Sequence, residues 1–365
     1  MTLTPSTPPA ATSGNAGPAG AAPGPSRTVP DRPVRRGGRR RLATVLAWAA
    51  ALPFAAWAVL RLGGVDAGFR WAQLVAFTPY VAAASGVAAP AVLALRRWAA
   101  LAVAVAAAVA LGSAVLPRAI ADGTWGPAPD GPVVRVLTAN LLMGQASAAG
   151  VVERVRLARA DVLAVQELTP GAVERLEEAG LGRLLPYRKV LARDGVGGSG
   201  VYARFPVEAS GPAIDFGGFG QLRAWVRVPE APAVEVVSVH PCAPARPDRE
   251  PCWKAGLEAL PRPGDPGDPR DTADTVRILA GDFNATLDHR PVRDLLDAGY
   301  RDAADATGRG LTPTWPELGP WVEFTPGVTL DRVLADADVA VRRFETYRLE
   351  GADHRMTFAE LQLPD

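Results

Sequence analysis

Sulfur and imidazole are scarce in this chain, with two cysteines and three histidines in 365 residues. Two cysteines are too few to form a metal site of their own. Cys242 and Cys252 lie ten residues apart around a Pro-rich loop, which suits a disulfide in an oxidising compartment, with two free thiols as the alternative. Charge is absent from three long stretches, Leu42–Leu60, Trp71–Leu95 and Trp98–Leu116, of 19, 25 and 19 residues. None carries an amphipathic stripe, which argues against surface helices of a soluble domain. Each is long enough to cross a hydrocarbon core of roughly 30 Å as a helix. Apolar periodicity is missing from residues 1–41, which are rich in Pro, Ala, Gly, Ser and Thr. Such a segment buries too little surface to offset its chain entropy and reads as disordered.

What charge there is near the spans is positive. The run Arg35-Arg36-Gly37-Gly38-Arg39-Arg40-Arg41 precedes the first span, and Arg96-Arg97 separates the second from the third. The positive-inside rule puts both on the cytoplasmic face. Three crossings from there leave everything after Leu116 outside. The expected organisation is therefore a disordered Arg-rich tail (1–41), three transmembrane helices (42–60, 71–95, 98–116), a Pro/Gly linker (117–132) and a soluble domain (133–365).

In the soluble domain, Val133–Ala139, Val162–Gln166, Val201–Ala203, Leu222–Val228, Val234–Val239 and Arg277–Ala280 read as strands. So do Leu330–Leu334, Ala340–Arg348 and Thr357–Leu363, while Val151–Ala160 and Gly171–Ala179 read as helices. Strands outnumber helices, and both helices fall between strands. The fold class is α+β, with sheets packed on each other and helices outside. From Asp122 onward there are 27 Lys and Arg against 36 Asp and Glu, a net charge near −9. That balance counts against tracking a long phosphate backbone.

Polar residues recur where these strands end. Asn140 closes the first and Gln166-Glu167 the second. His240 follows Val234–Val239, and Gly281-Asp282-Phe283-Asn284 follows Arg277–Ala280. Asp331-Arg332-Val333 and Asp353-His354 come later. An Asp can deprotonate a water, and an Asn two residues on can hold an oxyanion without adding charge. Phosphoester hydrolysis at a divalent metal needs that combination.

Taken in order, this set resembles the endonuclease/exonuclease/phosphatase family, over about Val133 to Leu363. The anchor resembles that of a bacterial membrane-bound branch. The resemblance implies a four-layer αββα sandwich (DNase I-like), preceded here by the three transmembrane helices, and Mg2+ as cofactor, with Mn2+ as the alternative. It implies Glu167 as principal metal ligand, with Asn140 beside it and Asp353 nearby. It implies that Asp282 activates water and that Asn284 holds a phosphate oxygen. His354, polarised by Asp331, would stabilise developing charge, and His240 would contact the phosphate or the leaving oxygen. Thr314-Trp315 resembles a Thr-Trp element of the family, with a core tryptophan as the alternative. His289 falls in no motif and is expected at the surface.

The expected function is that of a membrane-anchored, Mg2+-dependent phosphoesterase outside the membrane. Its partners would be the lipid bilayer and a phosphorylated lipid substrate, favoured over nucleic acid. An extracytoplasmic nuclease is the first alternative, and an inactive binding module is the second.

Overall fold

The protein is seen here as a computed structural model that describes residues 34–65, 68–122, 130–265, 275–319 and 322–365. Residues 1–33 of the expected tail and 123–129 of the expected linker lie outside these. The chain divides into two units at Leu42/Ala43. In the first, the described residues 34–42 are helical. The second holds all that follows.

The helices of the apolar region are α1 (Val34–Leu62), α2 (Phe69–Val75), α3 (Thr78–Ala94) and α4 (Trp98–Val115), followed by a 3-10 turn at Leu116–Ala119. Two helical stretches, Gly38–Leu62 and Trp98–Ala119, are long and apolar enough to cross a membrane, and a third exists if α2 and α3 count as one span. Those two meet at 68°. The stretch expected as one helix over 71–95 is therefore two. Pro79 lies in the first turn of α3, where a missing N–H costs nothing, and it stops α2 from running on. Small side chains pack these helices closely: Ala47, Ala51, Ala100 and Ala104 bury together with Val92.

The remaining helices are α5 (Ala148–Ala158), α6 (Pro170–Glu178), α7 (Leu181–Leu184), α8 (Glu250–Glu258), α9 (Arg290–Asp297) and α10 (Ala303–Ala306). The early strands are β1 (Val133–Asn140), β2 (Val162–Gln166), β3 (Tyr187–Leu191), β4 (Ser199–Ala203), β5 (Val207–Ala209), β6 (Ile214–Phe216) and β7 (Phe219–Val226). They are followed by β8 (Val234–Val239), β9 (Val276–Asp282), β10 (Tyr300–Asp302), β11 (Asp331–Asp336), β12 (Ala340–Tyr347) and β13 (Met356–Gln362). One sheet runs β12-β13-β1-β2-β4-β3 and the other β10-β11-β9-β8-β7-β5, with β6 paired to β7.

Alternation along the strands builds the four layers. Val134, Val136, Val162 and Ala164 face Val236, Ile278, Ala280 and Val333 in a core between the sheets. The intervening Leu137, Leu163 and Val165 pack outward with Val151, Val155 and Leu176 of α5 and α6. On the other side Val237, Val239 and Leu279 cluster with Trp253 and Leu257 of α8 and Val292 and Leu295 of α9. Both faces of each sheet are covered, so the central strands read as unbroken apolar runs. The result is the expected αββα sandwich.

Ala72 of α2 belongs to that last cluster. A residue expected inside a membrane span is thus part of the outer core of the soluble fold. Cys242 and Cys252 are joined, with 5.8 Å between their Cα atoms.

Candidate active site

The parallel pairs β1–β2 and β8–β9 end at one rim of the sandwich. The sheets face each other there, and six sequence motifs meet. Asn140 is the last residue of β1. Its amide donates to Glu167 Oε1 at 3.2 Å and to Asp282 Oδ2 at 3.1 Å, from one sheet to the other. Its own Oδ1 accepts from Leu142 N. Asn140 is therefore a donor that ties two carboxylates together. Glu167 sits just past β2 and also accepts from Met143 N at 2.6 Å. Its backbone φ is +55°, a conformation rare for glutamate and held only because its surroundings over-determine it.

Asp282 ends β9. Asn284 N donates to its Oδ1 at 2.8 Å, so both carboxylate oxygens are oriented. The tetrapeptide explains itself residue by residue. A Cβ on Gly281 would fall 2.1 Å from Val239 O of the adjoining strand, so only glycine fits. Phe283 turns into the outer core and pins the loop. Asn284 returns to the rim in the left-handed region, with φ +48°, which asparagine tolerates. One N–H of its side chain donates to Pro241 O at 3.1 Å, which leaves the second free to serve an oxyanion.

His354 completes the rim. Its Nδ1 lies 2.8 Å from Asp331 Oδ2, and its Nε2 lies 3.6 Å from Asp282 Oδ2. Burial alone would depress the imidazole, but Asp331 and Asp282 overcome that and push it up to about 10. The two carboxylates therefore favour its protonated form. Thr314 Oγ1 accepts from Leu330 N and Asp331 N, both at 3.0 Å, and fixes the start of β11. Trp315 stands 6.5 Å from the His354 ring. The Thr-Trp element thus supports the Asp-His pair from behind.

His240, just past β8, presents Nε2 at 3.6 Å from Glu167 and 3.7 Å from Asp282. Both are too long for hydrogen bonds. Its buried Nδ1 has no partner among the described residues. Asp353 is half-buried; its carboxylate lies outside the compact group formed by Asp282, Asp331 and His354. It contributes negative potential at His354.

Sequence reasoning singled out Gln166 beside Glu167 but passed over Gln221 and Trp253, which also support the rim. Gln166 accepts from Thr138 and donates to Ser238, which bonds Val165 O and stitches the sheets beneath the rim. Gln221 Oε1 accepts from His240 N. Trp253 Nε1 donates to Asn284 O at 3.1 Å. Gln221 lies in mid-strand and Trp253 in mid-helix, where no pattern distinguishes them from core residues.

Glu167, Asp282 and Asp331 are 8%, 1% and 1% exposed. Among the described residues none pairs with Lys or Arg; their partners are amides, backbone N–H groups and imidazoles. Glu167, like Asp353, lies outside the compact group of Asp282, Asp331 and His354; buried oxygen anions of this kind fit a hard divalent cation.

Comparison with known proteins agrees with this geometry. Residues 137–354 match the endonuclease/exonuclease/phosphatase family. Similar solved structures include a member of that family from Beutenbergia cavernae, at 16% identity, 64% of this chain, 72% of that chain and TM-score 0.47. D. rerio TDP2, complexed with single-strand DNA product, matches at 17% identity, 63% and 99% coverage and TM-score 0.46. Sphingomyelinase C from Streptomyces griseocarneus matches at 17% identity, 63% and 99% coverage and TM-score 0.43. No curated protein sequence matches the chain. The matched residues hold every motif of the rim, and the chain belongs to the endonuclease/exonuclease/phosphatase family of metal-dependent phosphoester hydrolases.

Proposed function

We propose that this enzyme is a membrane-anchored, Mg2+-dependent phosphoesterase that cleaves a phosphoester or diphosphate bond of a phosphorylated lipid outside the membrane. The observation that carries the lipid reading is that the apolar helices touch the loops on both sides of the rim. Gln73 of α2 donates to Pro244 O at 3.2 Å, four residues beyond His240. Tyr80 of α3 donates to Gly327 O at 2.7 Å, in the loop that also carries Trp315. That loop exposes Leu318, Val322 and Phe324, the last at 81%. With the contacts of Arg61 and Arg118 to Asp288, these come from α2, from the start of α3, from the end of α1 and from just past α4. In an up-down-up bundle those are one end, which supports a single-sided domain with its rim near the lipid. The acidic balance of the soluble segment supports a small phosphate over a long polyanion.

Glu167, with Asn140 alongside, would hold the Mg2+, and Asp353 is the third candidate ligand. The ion, when bound, neutralises charge on the phosphoryl oxygens. Asp282, oriented by Asn140 and Asn284 N, accepts the proton of the attacking water. As the water oxygen bonds to phosphorus, charge grows on the non-bridging oxygens. The His354 imidazolium and the free N–H of Asn284 meet that charge. The bond to the leaving oxygen breaks, and His240 would contact the phosphate or that oxygen.

The test is turnover by the full chain in nanodiscs, offered an isoprenyl diphosphate and plasmid DNA in parallel, with Mg2+ and with EDTA. Phosphate release from the lipid, lost in EDTA, is the expected result. Efficient DNA cutting with no lipid turnover would replace the lipid with nucleic acid as substrate. Sidedness is read by an alkaline-phosphatase fusion after Leu363, expected to be active.

A further inference from the structure

Six residues past the catalytic Asp282, the same loop carries Asp288, a buried carboxylate held by the membrane helices. Arg61, near the end of α1, donates through Nε to Asp288 Oδ1 at 3.0 Å. Arg118, just past α4, donates through both terminal nitrogens, at 2.8 Å each, to the two oxygens. All three side chains are buried. Burial pushes the Asp288 carboxyl up, but the two guanidiniums overcome it and hold it below the usual carboxylate range.

The next residue makes a second tie. His289 Nδ1 accepts from Thr286 N at 2.9 Å, which leaves Nε2 as the protonated nitrogen facing Ala72 O of α2 at 2.7 Å. Its ring stands edge-on to Trp253 at 5.3 Å. Trp253 in turn donates to Asn284 O. An unbroken chain of contacts therefore runs from α2 through His289 and Trp253 to Asn284.

We propose that Asp288 is a positioning residue: through it Arg61 and Arg118 clamp the Asp282–His289 loop onto the anchor, so the helices order the active site as well as tether it. A simple tether would connect through solvated residues and leave the loop to the soluble fold. Here α1 and the segment past α4 converge on one carboxylate, with α2 beside it, and that carboxylate belongs to the loop bearing Asp282 and Asn284.

The proposal rests on the phosphoesterase reading only for its kinetic arm. The test uses the full chain in nanodiscs, with Asp288→Asn, with Arg61→Met as a milder variant that keeps the Arg118 fork, and with Glu235→Gln as comparator. Glu235 accepts from Ser210, Arg223 and Arg277 at the opposite end of β8, remote from the anchor. Turnover of bis(p-nitrophenyl) phosphate and hydrogen exchange of residues 282–289 are measured. In Asp288→Asn, kcat should fall about tenfold or more with KM within about twofold, the scale on which small misplacement of reacting groups acts. Exchange of the loop should accelerate, and Arg61→Met should show the same changes in smaller degree. Glu235→Gln should lose stability but keep wild-type kcat per folded molecule. Wild-type kcat in Asp288→Asn, or faster exchange with kcat unchanged, overturns the positioning role. If Asp288→Asn does not fold, Arg61→Met decides by the same readouts. If the wild-type chain turns over neither the diester nor the isoprenyl diphosphate, the phosphoesterase reading fails, and exchange alone decides the clamp.

Discussion

Asp282 and Asp288 share a loop and are each 1% exposed, yet their surroundings are opposite. Asp288 has two guanidiniums on it. Asp282 has an amide, a backbone N–H and two imidazoles beyond hydrogen-bond distance. The contrast extends across the fold. Glu235 is paired with Arg223 and Arg277, and Asp302 with Arg332, all five being largely buried. Glu167 and Asp331, like Asp282, have no such partner among the described residues. A buried carboxylate matched by arginine serves the fold, and one left unmatched costs stability that only a function repays. Position in sequence does not separate the classes; the identity of the neighbouring charge does.

The sharpest way to break this comparison is to neutralise one carboxylate of each class. Asp282→Ala should lower kcat by about 10²–10⁴, the usual worth of a positioned acid or base, with the fold intact by circular dichroism. His354→Ala should do likewise, and full activity in either variant would dissolve the site assignment. Without metal, Asp282→Asn should cost less stability than Asp302→Ala, because Asp282 faces no guanidinium and Asp331 still pairs with His354. Asp302→Ala leaves Arg332 buried without its carboxylate and should cost about 3–5 kcal/mol in denaturant unfolding. A loss below about 1 kcal/mol would mean the matched class is not stabilising, since only exposed pairs are worth so little.

Smaller effects refine it. Glu167→Gln should raise the Mg2+ concentration for half-maximal turnover about tenfold or more, comparable with losses seen on altering a metal's surroundings. An unchanged Mg2+ dependence would move the ion elsewhere on the rim. The last prediction concerns pH in the metal-free protein. His354 is raised to about 10 in the fold, against about 6.5 for a free imidazole. Its stabilising contribution is therefore complete below about pH 6.5 and lost as pH rises through about 10. Chemical denaturation of wild type and His354→Gln between those limits should show a slope in the first that is missing in the second. Parallel slopes would mean that the imidazole is neutral.

Much of the rim could be read before any coordinate. Strand ends are punctuated by residues that neither pack nor pair, and Asn140, Glu167, His240, Asp282, Asp331 and His354 all stand at such points. Burial on both faces made the central strands conspicuous. What escaped notice were contacts between distant segments. Arg61 and Arg118 look like ordinary flanking charges of apolar helices; their partner lies 227 and 170 residues away. His289, expected at the surface, is 2% exposed, because no local pattern announces a histidine whose acceptor is a backbone oxygen of α2. The break before α3 had a visible signal in Pro79, but a 25-residue run without charge conceals it.

By itself the sequence determined an α+β class with packed sheets and outer helices, the apolar helices and the ordered set of polar strand ends. Each is a consequence of local periodicity, composition or spacing along one segment. Only the tertiary structure decided which carboxylates meet arginine and which do not, and that α2 docks into the outer core of the soluble fold. Charge pairing and docking depend on which surfaces meet after the chain has folded, and no single segment contains that information.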